Sequence, residues 1–217
     1  MAGGRIMIKT TIVGCREGIK SPIKTYMDRL DNHLESYYPI ISWNLFDSQT
    51  KGLGLQGLAQ DLQTKVLDYH PNIVFLYLSS KNMMVGEKDF MEMTAYEEAL
   101  LAIVKKIKSN HNRTGLNGCI PIPVLITPPP VNEALVKEVS NSRLKQYCYI
   151  IKKAAEAVNG VFLDLYTTLD RKLNQTSYLD ETGLYLNQKG EDLLYDLVFI
   201  ELTKLIDYQG VIKERDD

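Results

Sequence analysis

Three short stretches carry side chains able to do covalent or ionic chemistry. The first is Gly14-Cys15-Arg16, which follows a β-branched run from Ile6 to Val13. A thiolate at Cys15 would be a nucleophile, provided that a low pKa or a neighbouring base generates it. Arg16 stays protonated in a protein and offers a planar fork of donors. It would clamp a carboxylate or phosphate from outside, or pair with Glu17 or another acid of the chain. The second stretch is Ser80-Lys81-Asn82, after the apolar run Ile73 to Leu78. The Asn82 amide is either a donor to a bound ligand or a loop former. The third is GLYLNQKG, where Tyr185 precedes the last helical pattern. Tyrosine has a reference pKa near ~10, so Tyr185 suits a hydrogen-bond donor, an aromatic lid or packing better than a base. Gly54, in KGLGLQG, adds a main-chain donor next to a helix start.

What these residues lack is an obvious base. The histidines are His33, His70 and His111, and each falls within or just beyond a helical pattern, away from the strand ends. Cys15, Cys119 and Cys148 are widely spaced, with no CxxC pair, which speaks against a disulfide framework and against zinc. KGLGLQG is not a dinucleotide motif: its third glycine comes too early, and no ribose-binding acid stands about 20 residues on. The expectation is a site with no metal and no cofactor.

The elements that must position these residues alternate. Strands are expected over Ile6 to Val13, Pro39 to Phe46, Ile73 to Leu78, Ile120 to Thr127 and Val161 to Leu165. Helices are expected from Ser21-Pro22 to Tyr37, with serine as cap and proline at the first turn. Further helices are expected over Leu55 to Tyr69, Thr94 to Ser109, Asn132 to Val158 (with a break near Ser140-Asn141) and Gln188 to Ile206, the last capped by Asn187. Ser79 to Phe90 reads as a polar loop, and the methionines Met83, Met84, Met91 and Met93 around it fit an adaptable surface, a core or a dimer contact equally well. Strands alternating with helices imply right-handed crossovers and a parallel sheet covered on both faces. Ligands of such sheets lie beyond the carboxyl ends of the strands, where Gly14, Cys15, Arg16, Gly54, Ser80 and Asn82 all fall.

The chain's 217 residues, 45% of them hydrophobic, with a net charge of -2, fit one domain over 1–217. So balanced a charge gives no electrostatic reason to expect nucleic acid or an anionic membrane as partner. No apolar run nears the ~18 residues that cross a bilayer, and the opening MAGGRIMIKTTIVG lacks the long apolar stretch of a signal peptide. The expectation is a soluble, cytoplasmic protein of open oligomeric state.

VLITPPP, the helix through Ser142-Arg143 and Tyr147, VFLDLY and LYLNQKGEDLLYDLV occur in the order and spacing found in one family. The sequence resembles the SGNH hydrolase (GDSL esterase/lipase) family, most of all its isoamyl-acetate-type esterases, over nearly the whole chain. The resemblance implies a flavodoxin-like three-layer α/β/α sandwich. It also implies a serine after the first strand, oxyanion donors from a glycine and an asparagine, and a histidine before the last helix oriented by an aspartate three residues upstream. Aligned on it, Gly14 matches the first glycine, Gly54 the second-block glycine and Asn82 the third-block asparagine. Arg16 stands at the nucleophile position and Tyr185 at the histidine position, with Cys15 at the aspartate of the first motif and Ser80 at a usual glycine. Thr182 takes the orienting aspartate's place, or Asp180 does if the loop holds two extra residues. This pattern implies a degenerate esterase without catalysis that binds a small anionic or acyl-bearing ligand, or a protein partner, in the former cleft. The alternatives are an active ester or acetyl-sugar hydrolase recruiting Cys15, Ser80 or Asp180, and a structural or assembly protein with a closed cleft.

Overall fold

The computed structural model describes residues 8–17, 23–50, 54–110 and 120–208. Five parallel strands form one sheet: β1 (Ile8–Glu17), β2 (Ile41–Thr50), β3 (Ile73–Tyr77), β4 (Ile122–Ile126) and β5 (Val161–Leu163). Their order is β2-β1-β3-β4-β5, so the chain reverses direction across the sheet between β1 and β3. At such a switch point the loops leaving the two strands part, and a crevice opens above them.

Among the described residues six α-helices cover the sheet: α1 (Tyr26–Tyr37), α2 (Gly54–Lys65), α3 (Met93–Ser109), α4 (Asn141–Ala157), α5 (Leu165–Asp170) and α6 (Gln188–Thr203), the last running into a π turn at Lys204–Tyr208. The central strands β3 and β4 are apolar on both sides because both sides are covered. Val13, Cys15, Val74, Leu76 and Leu125 pack under α2, α3 and α4. Their alternates Ile12, Ile73, Phe75, Val124 and Ile126 pack under α1, α5 and α6. This three-layer α/β/α sandwich with a parallel sheet is the expected fold class.

Several expected boundaries shift, each for a local reason. The first helix begins at Tyr26, capped by a reciprocal box in which the Thr25 hydroxyl accepts from the Asp28 N–H and the Asp28 carboxylate from the Thr25 N–H. Ser21 and Pro22, expected to open it, lie outside the described residues. The helix expected from Asn132 begins instead at Asn141, with Ser140 as its cap. Asn141 folds back on Val131, accepting from its N–H and donating to its carbonyl, so residues between them turn rather than coil into a helix. The last strand stops at Leu163 because Asp164 caps α5. Strands β1 and β2 run past Val13 and Phe46, supporting each other in register to Glu17 and Thr50. Met83, Met84 and Met91 are buried in the core under α3 and α4, not spread over a surface.

Candidate functional site

Alternation along β1 sends successive side chains to opposite faces of the sheet. Cys15 faces α2 and Arg16 faces α1 and α6. The Arg16 fork meets a carboxylate that the sequence reading missed: Nη1 donates to Glu191 Oε2 at 3.0 Å and Nη2 to Glu191 Oε1 at 2.7 Å. Arg16 is 5% exposed and Glu191 is wholly buried. The Tyr26 N–H, at the start of α1, also donates to Glu191 Oε2, at 3.1 Å. One carboxylate on α6 therefore holds the end of β1 and the start of α1 together. Burial alone would lower the Arg16 pKa, but the bonds to Glu191 overcome it and raise the pKa above its ordinary value. The rings of Tyr77 and Tyr26 flank the guanidinium, with centroids 5.4 and 5.9 Å from its carbon.

A signal for Glu191 was present in the sequence. It shares a helical stripe with Leu194, Val198 and Leu202, all buried. An acid on an otherwise apolar stripe needs a buried cation or donors to remain charged.

Cys15 is 3% exposed, and burial, helped by Asp47, pushes its thiol up to about 12. Gly14 lies under α1, where a Cβ would strike the Met27 side chain, so it packs the floor beneath the site. Gly54 and Asn82 do come together. Gly54 opens α2 with φ +52°, and an added methyl would overlap the Asn82 amide. Asn82 Oδ1 accepts from the Leu55 N–H at 3.0 Å, and its Nδ2 donates to the Asp89 carbonyl at 2.6 Å. Asn82 thus ties the first turn of α2 to the loop before α3.

Two small cavities meet at Arg16. One, of about 20 Å³, is lined by Cys15, Arg16, Gly54, Leu55, Tyr77 and Asn82 among others. The other, of about 30 Å³, is bounded by Arg16, Ser80, Pro128, Pro129 and Tyr185. Each has room for a water or two, whereas ligand pockets run from ~300 Å³ upwards. Of the residues expected at the site, Cys15, Arg16, Gly54, Ser80, Asn82 and Tyr185 line these cavities. The loop beneath Tyr185 is held by Asp180, whose Oδ1 accepts from the Thr182 hydroxyl at 2.6 Å and from the Tyr185 N–H at 3.3 Å.

The described histidines are elsewhere. His33 Nδ1 bonds the Tyr195 hydroxyl at 2.7 Å, about two helical turns from Tyr26. His70 sits at the opposite rim of the sheet, just before β3. His111 and Cys119 lie outside the described residues. Among the described residues no cluster of His, Cys, Asp or Glu is arranged to hold a metal, and no helix is long and apolar enough to cross a membrane.

No family model and no curated protein matches the chain. Solved structures do. The lipase/acylhydrolase from Enterococcus faecalis superposes with a TM-score of 0.75 at 18% identity, over 97% of this chain and all of that one. The two chains share one fold. The acetylxylan esterase Axe2 from Geobacillus stearothermophilus gives a TM-score of 0.68 at 16% identity, over 90% of this chain and 94% of its own. The α/β hydrolase LAE5 from the Lake Arreo metagenome gives 0.65 at 16% identity, over 89% and 94%. In Axe2, alanine variants at a serine and at a histidine are catalytic mutants.

Proposed function

We propose that this chain keeps an esterase scaffold without esterase catalysis, and acts by recognition at the mouth of the former cleft. The observation that carries the reading is the bidentate Arg16–Glu191 pair at the end of β1. Acyl transfer needs a nucleophile there and a base facing it. A guanidinium cannot attack an acyl carbon, and this one is locked in place by a carboxylate. Its neighbour Cys15 keeps its proton, with a pKa pushed up to about 12. Tyr185, at the position where the resemblance asks for histidine, is a poor base at neutral pH. Asn82, in the oxyanion-donor position, spends its amide on Leu55 and Asp89.

The cavities beside Arg16 are too small to enclose an ester substrate, which favours a protein partner that reads the rim. A small carboxylate or phosphate is the second reading, supported by the presence of Arg16 and Tyr185 on the wall of one cavity. Assay of the purified chain with p-nitrophenyl acetate should give the buffer rate, and a fluorophosphonate probe should not label it. Turnover that disappears in Cys15→Ala or Ser80→Ala would overturn the reading. A rise in melting temperature with acetate or phosphate, lost in Arg16→Ala, would select the small anion over the protein partner.

A further inference from the structure

Strand β2 is an edge of the sheet. It pairs with β1 along its full length, from Ile41 opposite Ile8 to Thr50 opposite Glu17, and among the described residues nothing pairs with its other side. Its ten residues, ISWNLFDSQT, contain no lysine, arginine or proline to guard the edge, and their one charged side chain, Asp47, is acidic. Apolar side chains crowd the same border. Ile40, at the start of the strand, is 60% exposed, and the half-exposed Phe46 stacks on Tyr69 at 4.2 Å.

Helix α1 overhangs this edge. Its flank towards α6 is marked by Arg29, His33 and Tyr37, which meet Asp192, Tyr195 and Phe199. At the helical spacing, Asp31 and Glu35 fall on the opposite flank, above β2. Both are exposed, and among the described residues neither carboxylate has a hydrogen bond or ion pair.

We propose that β2 accepts, as an added strand, an extended segment of a partner protein that carries lysine or arginine. Main-chain bonds to the open edge supply the affinity, and Asp31 and Glu35 select a basic segment over an acidic one. A second copy of the chain fits less well. Antiparallel pairing of two β2 edges about a dyad would set the two acidic α1 flanks side by side. The opposite edge, β5, offers three residues.

The test uses a labelled synthetic peptide of about nine residues alternating threonine or valine with lysine, and a twin with glutamate for lysine. The lysine peptide should bind the full-length chain by fluorescence anisotropy, less tightly as salt rises, and should slow amide exchange in residues 42–48 of β2. The glutamate twin should bind at least about tenfold more weakly, and the double variant Asp31→Lys/Glu35→Lys should lose about tenfold for the lysine peptide. Because those side chains are exposed and unbonded, that variant should keep its melting temperature. Equal binding of the two peptides, binding without protection of β2, or binding of neither would overturn the proposal. So would a chain that is dimeric on its own with its β2 amides already protected.

Discussion

Arg16 and Glu191 form a buried, doubly hydrogen-bonded ion pair. Removing two charges from water is unfavourable, and their mutual attraction offsets that only while both are present. Arg16→Met or Glu191→Leu alone should therefore destabilise the chain by about 3–5 kcal/mol. The double variant Arg16→Met/Glu191→Leu should recover most of that loss, within ~1–2 kcal/mol of the parent, in chemical denaturation. If the single variants melt like the parent, the pair does not hold β1, α1 and α6 together. Arg16 was legible in the sequence as an unusual residue at a strand end. Glu191 was marked by its place on an apolar helical stripe, but its pairing with Arg16 was not, because 175 positions separate the two and no local pattern links a strand terminus to a helix on the other side of the switch point.

The elements around the cleft are joined by side chains reaching into main chain, and Asn82 is the clearest case. It satisfies the Leu55 N–H at the start of α2 and the Asp89 carbonyl before α3. Gly54 permits this by its left-handed φ and its missing Cβ. Gly54→Ala and Asn82→Ala should each destabilise by about 2 kcal/mol, the first through strain and overlap, the second through two orphaned main-chain groups. Truncating Asn82 removes part of what the Gly54 methyl would strike. The double variant should thus fall short of the sum by ~1 kcal/mol in urea unfolding, and strict additivity would mean the two residues do not touch. The sequence named both residues, Gly54 as a main-chain donor and Asn82 as either an amide donor to a ligand or a loop former. Their actual bonds connect one loop to another, which depends on how far apart α2 and α3 are set by the sheet. The expected long helix from Asn132 failed for a related reason: Asn141 finds better partners in Val131 than in a helical turn.

For the molecule as a whole, two buried thiols begin the alkaline loss of stability, and buried tyrosines extend it. Burial pushes Cys15 and Cys148 from an ordinary 9.0 up to about 12. Above the ordinary value the unfolded chain releases those protons while the folded chain retains them. The stabilisation is complete below about pH 9 and is lost as pH rises towards the folded value near 12. Between pH ~9 and ~10 the two retained protons set a decline approaching about 3 kcal/mol per pH unit, and above pH ~10 the buried Tyr26 and Tyr96, whose pKa values burial also raises, steepen it. Urea midpoints taken at neutral pH and in steps above pH ~9 should follow this decline, and Cys15→Ala should flatten it by about half between pH ~9 and ~10, before the tyrosines contribute. A midpoint constant to pH ~11 would mean that neither thiol is held protonated by the fold.

The order of elements follows from local information: apolar runs of strand length, amphipathic helices between them, and capping residues such as Asn187 and Ser140 act over a few positions. That is why the sandwich and the loops around its cleft could be read from the chain alone. The pairing of Arg16 with Glu191, the small size of the cavities beside Arg16 and the acidic flank of α1 could not. They depend on which faces of α1 and α6 turn towards the sheet, and only the folding of residues distant in the chain brings those faces together.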